Sequence, residues 1–354
     1  MKPKQRILNA IAGNPSDVTP VGIHEWGQYK FALNGIHNDY SEERKGWAIG
    51  GQELAEIDAC FYEQFRPDWI HLSEGPFFDD IKERINAPEN AELLAAVRKM
   101  DSRQAIDDFL DRIYYSADEF ERGPKFGHIK ILAERYNDEV FIALHTEAPI
   151  HDIVDAGGVL GFVDTMEAMV EKPGMFAYLA RGMYERQLAF VEAVKRSGAH
   201  CYIQSESYIY PDLISPKTYE NTIHETIVEF YTKVNAMGII PMSYALGDCA
   251  RAIKYIKQWP IKGLLLEEPK KGMVTDPSQI LRELNYDRAV FGNIDSIGVL
   301  LQGSRADVRS AVQEQIKKCA SPNYISSFGS PIPFNTPVEN IMEFIQAARD
   351  CRGY

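Results

Sequence analysis

Short apolar runs alternate along this chain with longer segments in which apolar residues recur at helical spacing. The clearest run is the three leucines after Gly263, which predict a short strand, 264–267, buried on both faces. Two acids, Glu267 and Glu268, stand where this strand ends. Seven further runs are predicted as strands, at 21–26, 68–74, 140–147, 200–206, 239–246, 289–293 and 323–327.

Helices are predicted between these runs, at 3–14, 52–65, 162–170, 173–197, 216–237, 277–285, 305–319 and 337–350. Eight strands alternating with helices, and no Gly-x-Gly-x-x-Gly turn after any strand, favour a single (β/α)8 TIM barrel in the α/β class. Residues 77–139 have no strand pattern and predict a helical insertion near the barrel mouth. We expect one domain over residues 1–354.

Composition excludes several partners. The chain has 354 residues and a net charge of −13, with no Lys/Arg cluster that could follow a phosphate backbone. No apolar run approaches ~20 residues, and the first six residues lack the apolar stretch of a signal peptide. The five cysteines are scattered, which predicts reduced thiols and a cytoplasmic protein.

In a barrel of this kind the carboxyl ends of the strands form the site. Crowded carboxylates bind protons more tightly or share a cation, and His, Glu and Cys are ligands of catalytic zinc. These ends supply His24, Glu25, Trp26, Ser73, Glu74, His145, Glu147, Glu206, Tyr208, Tyr244, Asp248, Cys249, Glu267, Glu268, Asn293, Asp295, Ser327 and Ser330.

Structural roles compete with these functional ones. Any strand-end acid can pair with a basic neighbour or cap the next helix, and Asp248 is placed to be an N-cap. Because side chains alternate along a strand, Glu267 and Glu268 cannot both face the barrel axis. His71 and His200 lie inside or at the start of strands and are interpreted as core or surface histidines.

Several short motifs occur in order along the chain, and together they resemble one known superfamily. They are Ser215-Pro216 with Tyr219, Gly292-Asn293-Ile-Asp295, Leu300 with Gly303 and Val308, and Thr336-Pro337-Val-Glu339-Asn340. In this order they are similar to motifs of the uroporphyrinogen decarboxylase superfamily, which includes corrinoid-dependent methyltransferases. The resemblance separately implies the barrel.

The chain departs from the decarboxylases where they grip substrate carboxylates. Their M-R-Q-A-G-R-Y loop corresponds here to 24–29, in which Gly27 and Tyr29 fit but Gln28 replaces the second arginine and the first is missing. Glu25 would also repel carboxylates. Porphyrinogen decarboxylation is therefore disfavoured.

The chain also departs from the methyltransferases, whose H-x-C-G and late cysteine bind zinc. Those places correspond here to 244–247 and 328–330, which contain neither His nor Cys. A zinc site rebuilt from His145, Glu147, Glu206 and Cys249 is our hypothesis. The sequence Glu-Glu-Pro-Lys-Lys-Gly at 267–272 resembles a motif of methyltransferase components, including those of O-demethylation of methoxylated aromatics.

The leading hypothesis is a methyltransferase that moves a methyl group between a small methylated substrate and the cobalt of a separate corrinoid protein. The chain has no D-x-H-x-x-G motif, so the cobalamin would be carried by that partner. We predict catalytic roles for Glu206, Tyr208, Glu147, Glu74 and Glu267, and substrate binding by His24, Trp26, Tyr29, Tyr244 and Asn293. The alternatives are a decarboxylase or lyase of a small acid, and a non-catalytic binding protein.

The missing arginines generate a first test. Because Gln28 and Glu25 stand in the loop that would hold a polycarboxylate, uroporphyrinogen should not be turned over. Incubation with uroporphyrinogen and chromatography of the products measures this. Formation of coproporphyrinogen would contradict it.

Overall fold

The structure is a computed structural model that describes residues 1–35, 50–73, 80–270, 272–273 and 275–352. Seven parallel strands form one sheet in chain order. They are β1 Trp69–Ser73, β2 Phe141–Glu147, β3 Cys201–Glu206, β4 Ile240–Ala245, β5 Gly263–Leu266, β6 Ala289–Ile294 and β7 Tyr324–Phe328.

Helices precede, separate and follow the strands, and several begin with a proline in the first turn or a Ser or Asp side-chain cap. They are α1 Pro3–Ala12, α2 Gln28–Leu33, α3 Gly51–Phe65, α4 Asp80–Ile85, α5 Ala91–Arg98, α6 Arg103–Ile113, α7 Ala117–Arg122, α8 Pro124–Tyr136, α9 Pro149–Val154, α10 Phe162–Glu171, α11 Pro173–Arg196, α12 Pro216–Thr222, α13 His224–Ala236, α14 Cys249–Ile256, α15 Pro277–Glu283, α16 Arg305–Cys319 and α17 Val338–Asp350. The predicted helix 216–237 is two helices that meet at Ile223. Asp248 caps α14 as predicted, since its side chain accepts a hydrogen bond from the Arg251 N–H at 3.0 Å.

The first of the eight predicted strands, at 21–26, is not a strand, so an eighth strand of the barrel is not shown. In the described chain this segment makes one isolated bridge, between Val21 and Ser326. Gly22 N donates to Ser326 O at 2.9 Å, and Asp68 N donates to Val21 O at 2.8 Å. The segment therefore hydrogen-bonds to β7 on one side and to the residue before β1 on the other, which makes the fold TIM-barrel-like.

Two local features explain why this segment is so short. Pro20 has no N–H to donate, and the Glu25 carboxylate already accepts from the backbone of Gly27 and Tyr29 at the start of α2. Extended backbone is thus confined to a few residues.

Gly22 allows the segment to approach the barrel interior closely, because a Cβ there would lie 2.9 Å from a ring carbon of Phe291.

Apolar side chains pack on both faces of the sheet. One cluster fills the interior, and Ile7 and Ala10 of α1 close it at the amino-terminal end. A larger cluster lies between the sheet and the surrounding helices. Because both faces are buried, most strands are rich in apolar residues, which is why the sequence predicted seven of them.

Of the predicted insertion, 77–139, the structure describes 80–139, which form helices joined by turns and loops and contain no strand. Lys82 Nζ donates to Asp155 Oδ2 at 3.0 Å, and Arg98 Nε donates to Val159 O at 2.8 Å. The first part of the insertion therefore contacts the segment that follows β2, near the carboxyl ends of the strands. All five cysteines are free thiols. Among the described residues, no helix combines the length and the hydropathy needed to cross a membrane.

Asp68 generates a stability prediction with an internal control. Its buried carboxylate accepts from Val21 N and from Arg6, whereas Asp17 pairs with the same arginine at an exposed position. Asp68→Ala should lower the free energy of unfolding by roughly 3–5 kcal/mol, because it leaves buried donors unpaired. Asp17→Ala should cost about 1 kcal/mol or less. Urea denaturation measures both, and equal losses would contradict the role given to Asp68.

Candidate active site

Three imidazoles meet at the carboxyl ends of the strands. His71 lies on β1, His145 on β2 and His24 just after the bridging segment, and each is at most 3% exposed. Their ring centroids are 5.1 to 5.4 Å apart. The register pairs Ser73 with His145, so the two strands present His71 and His145 at neighbouring inward positions. The cluster therefore lies buried above the apolar interior, and we call it, with the side chains packed on it, the candidate pocket.

Hydrogen bonds order these rings and fix their protons. His71 Nδ1 lies 2.7 Å from the backbone carbonyl of Glu25, which can only accept, so Nδ1 carries the proton. His71 Nε2 lies 3.0 Å from His145 Nδ1, and His145 Nε2 lies 2.8 Å from Ser205 Oγ. The Trp26 indole N–H donates to His24 Nε2 at 2.7 Å. The pocket is thus a connected network from Ser205 to Glu25, with His24 held beside it by Trp26.

Burial keeps all three rings uncharged. It lowers the pKa of His71 and of His145 well below the ordinary value, and neighbouring imidazoles lower both further. Burial, with a smaller effect of Lys270, lowers the pKa of His24 to about 3. Neutral imidazoles can accept hydrogen bonds or bind a metal ion, but they cannot hold an anion by charge.

Aromatic rings form the wall of this pocket. The Tyr244 ring packs edge-on to His24 and His145, at 4.8 and 5.6 Å between centroids, and its hydroxyl donates to Gly329 O at 2.7 Å. The Trp26 ring lies 5.6 Å from His145. Both were predicted to bind substrate, and the structure places them against the histidines.

A charged group follows on the same face of β2, because Glu147 comes two residues after His145. His151 Nε2 lies 2.7 Å from Glu147 Oε2 and 2.6 Å from Ser207 Oγ, and its Nδ1 lies 3.5 Å from Asp155. Burial would lower the pKa of His151, but Glu147 and Asp155 raise it to about 10. The Tyr208 hydroxyl donates to Asp155 at 2.7 Å. This rim, which we call the His151 cluster, therefore carries an imidazolium between two carboxylates.

The two acids after β5 have separate partners, as alternation along a strand requires. Glu267 pairs with Lys270 at 2.5 Å, and Lys270 also donates to Ser330 at 3.3 Å. Glu268 instead accepts from the backbone and hydroxyl of Ser296, at 2.9 and 2.8 Å. Glu267 is thus paired with Lys270, whose positive charge lowers the pKa of His24. Glu268 holds Ser296, which follows β6, by hydrogen bonds.

Glu206 lies on the other face of β3 from Ser205. Its carboxylate accepts from Tyr184 of α11 at 3.0 Å, from Tyr231 of α13 at 3.1 Å and from Gln204 at 3.0 Å. The predicted grouping of Glu206 with His145 therefore does not occur, because successive side chains of β3 point to opposite faces. Its carboxyl belongs to the layer between sheet and helices.

The remaining predicted residues lie in separate parts of the structure and do not gather at one site. Asn293 uses its amide on Glu267 O, Thr275 O and Gln315, and Tyr29 packs against Phe61 and Phe65. Cys249 is buried at the start of α14, and burial raises the pKa of its thiol to about 12. Of the predicted metal set, His145 alone belongs to the one three-residue group in the described chain whose ligand atoms lie within 4.8 Å of one another. Glu74 lies outside the described residues.

Sequence reasoning missed His71 and His151. His71 is buried, as interpreted, but it belongs to the candidate pocket. It comes two residues after Trp69 on β1, so the two share the inward face of the strand, and this spacing could have indicated its position. His151 follows Glu147 by four residues, and the turn from β2 into α9 brings the two side chains together.

These features define the class of protein as a TIM-barrel-like α/β protein with titratable residues at the carboxyl ends of its strands. The chain belongs to the uroporphyrinogen decarboxylase (URO-D) family, whose profile matches residues 107–351. It is 26% identical over 227 residues to the methylcobamide:CoM methyltransferase MtaA of Methanosarcina barkeri, covering 63% of this chain and 61% of that protein. It is 20% identical to uroporphyrinogen decarboxylase 2, chloroplastic, of Arabidopsis thaliana, over 98% of this chain and 86% of that protein.

Solved structures agree on the fold. A methyltransferase from Methanosarcina mazei superposes with a TM-score of 0.77 at 18% identity, over 99% of this chain and 98% of that one. A putative vitamin-B12 independent methionine synthase from Listeria monocytogenes superposes with a TM-score of 0.55 at 13% identity, over 96% and 98%. At these identities the likeness shows the fold alone.

The placement of Glu206 predicts a pH effect on stability. Burial raises its pKa to about 7, so the folded chain holds a proton that the unfolded chain releases above a pKa of about 4.3. Stability should therefore fall by roughly 3 kcal/mol as pH rises from about 4 to about 7, and Glu206→Gln should lack this loss.

Denaturation of wild type and Glu206→Gln across this pH range measures the effect. A difference between the two proteins that does not change with pH would contradict it. The same variant tests the catalytic role predicted for Glu206, because loss of a general acid lowers turnover by roughly 10²–10⁴-fold.

Proposed function

We propose that this protein is a methyltransferase that moves a methyl group between a small methylated substrate, of the methoxylated aromatic class, and the cobalt of a separate corrinoid protein. The likeness to a methylcobamide-using methyltransferase supports the reaction class. Because the aligned region spans only 61% of that relative, the substrate and the partner are proposed on the chemistry of the pocket.

The observation that carries the proposal is the charge of the pocket. Its floor is three uncharged imidazoles, and the cations at its rim, Lys270 and His151, are each paired with a carboxylate. Such a pocket suits a neutral substrate such as an aryl methyl ether. The rings of Trp26 and Tyr244 offer the flat surfaces on which an aromatic ring packs.

Breaking a methyl–oxygen bond leaves an alkoxide or phenoxide, which needs a proton or a Lewis acid. His151 is the proton donor in this proposal, because Glu147 and Asp155 keep it protonated at neutral pH with a pKa of about 10. His151 therefore keeps a proton that it can give to the leaving oxygen. Glu147 and Tyr208 hold His151 and Asp155 in place. A metal ion, with zinc as the family precedent, would supply a Lewis acid on the imidazole side.

The second candidate is a decarboxylase of a small carboxylic acid, supported by the alignment with a decarboxylase over nearly the whole chain. It needs an unpaired cation for the substrate carboxylate. Opening of the Glu267–Lys270 pair would provide one, since Lys270 lies beside the pocket.

The test is transfer of methyl from a panel of methoxylated aromatics to cob(I)alamin or to a corrinoid protein, followed by the cobalamin spectrum. His151→Asn should lower the rate by roughly 10²–10⁴-fold. His224→Asn is the matched control, because in the described part of the chain this histidine is hydrogen-bonded to Tyr219 and Gln258 at the outer helices. Wild-type turnover should stay level through neutral pH and fall above about pH 10 as His151 loses its proton.

One outcome would contradict the reaction class, and another would contradict the role of His151. Wild-type protein that methylates no corrinoid across the panel, but releases carbon dioxide from small acids, would favour the decarboxylase. Unchanged turnover in His151→Asn would remove this residue from the reaction while leaving the reaction class intact.

A further inference from the structure

We propose that His24, His71 and His145 form a binding site for a divalent metal ion of the zinc class, made of three imidazoles from three separate segments of the barrel. The site lies in the pocket of the proposed function and would provide its Lewis acid, so its chemical use rests on that function. Metal binding itself is measured without any turnover, so either proposal can fail alone.

The geometry is that of a facial ligand set. One nitrogen of each ring lies within 4.8 Å of the other two. His71 Nε2 and His145 Nδ1 are 3.0 Å apart, close to the separation of roughly 3.3 Å between two nitrogens on a tetrahedral zinc ion. Three histidines with an open fourth position are a known catalytic arrangement.

The neighbours of His71 form a built outer shell. Its Nδ1 proton is held by Glu25 O at 2.7 Å, which directs the lone pair of Nε2 into the pocket. Buried Lys30 donates to His71 O at 2.6 Å and pairs with Asp58 at 2.6 Å and Glu25 at 3.3 Å. His71 is therefore fixed in tautomer and position before any metal arrives.

The hydrogen-bond network shows which proton must move on His145 when a metal binds. In the structure His145 Nδ1 donates to His71 Nε2, so Ser205 Oγ donates to His145 Nε2. A metal between the two rings needs a lone pair on both facing nitrogens. The His145 proton then moves from Nδ1 to Nε2, and Ser205 turns from donor to acceptor, which a hydroxyl can do without any change of net charge. Ser205 is thereby a positioning residue of the site.

Metal binding at His24 can be followed by the fluorescence of Trp26. His24 Nε2 accepts the Trp26 indole N–H at 2.7 Å, so the His24 proton lies on Nδ1. If Nε2 binds the metal, its lone pair is no longer available to the indole. If Nδ1 binds the metal, the proton moves to Nε2 and opposes the indole N–H. In either case the hydrogen bond to Trp26 is lost, and the fluorescence of Trp26 should change.

The experiment is titration of chelator-treated protein with Zn²⁺, and with Co²⁺ for its visible spectrum, together with elemental analysis of untreated protein. We expect about one metal per chain, with three nitrogen ligands. His71→Ala should weaken binding by more than about 100-fold and Ser205→Ala by roughly 10–100-fold. Trp26→Phe should bind metal but lose the fluorescence change. His224→Ala, at the outer helices, should bind like wild type.

Folding of each variant is checked by circular dichroism, and Ser205→Ala keeps the test decisive if His71→Ala does not fold. Folded wild-type protein that binds no metal at one per chain would overturn the proposal. Metal binding that Ser205→Ala and His71→Ala leave unchanged would also overturn it. Methyl transfer by metal-free protein would overturn the catalytic use of the metal and leave the proposed function standing.

Discussion

The candidate site depends on a few backbone hydrogen bonds that join the two ends of the sheet. Val21 and Gly22 bond to Ser326 of β7 and to Asp68 before β1, so the segment is held on both sides. His24 follows two residues later, so this connection, with the hydrogen bond from Trp69 Nε1 to Ile23 O, brings its ring beside His71 and His145, which belong to the sheet. The buried Asp68 carboxylate strengthens the connection by accepting from Val21 N at 2.8 Å. Closure of the fold and assembly of the pocket are therefore one event.

Burial then divides the site into two electrostatic parts. Deep in the pocket no carboxylate pairs with the imidazoles among the described residues, so burial removes their charge and leaves lone pairs available. At the rim His151 is also buried, but Glu147 and Asp155 outweigh that effect and keep it charged. In the proposed function one residue type thus has two roles, metal ligand and acid, according to its neighbours. This division suits a reaction in which a neutral substrate loses methyl and the oxygen left behind gains a proton.

The sequence predicted seven strands well because both faces of the sheet are buried, which makes most strands rich in apolar residues. It predicted the Asp248 cap because that interaction is local. It could not place Glu206 or His71, because which face a strand residue occupies depends on the register with neighbouring strands. The predicted zinc set failed to gather for the same reason. The first strand was overestimated because Pro20 and the Glu25 cap limit pairing in ways that apolar content does not indicate.

The central claim is that three neutral imidazoles, His24, His71 and His145, bind the metal in place of the cysteine ligands that the family resemblance implies. X-ray absorption at the zinc edge, on protein purified without chelator, tests it most directly. The account predicts nitrogen or oxygen neighbours at about 2.0 Å, with the outer-shell scattering of histidine rings that Ser205→Ala perturbs. Sulfur neighbours at about 2.3 Å, or protein that holds no zinc under these conditions, would contradict it.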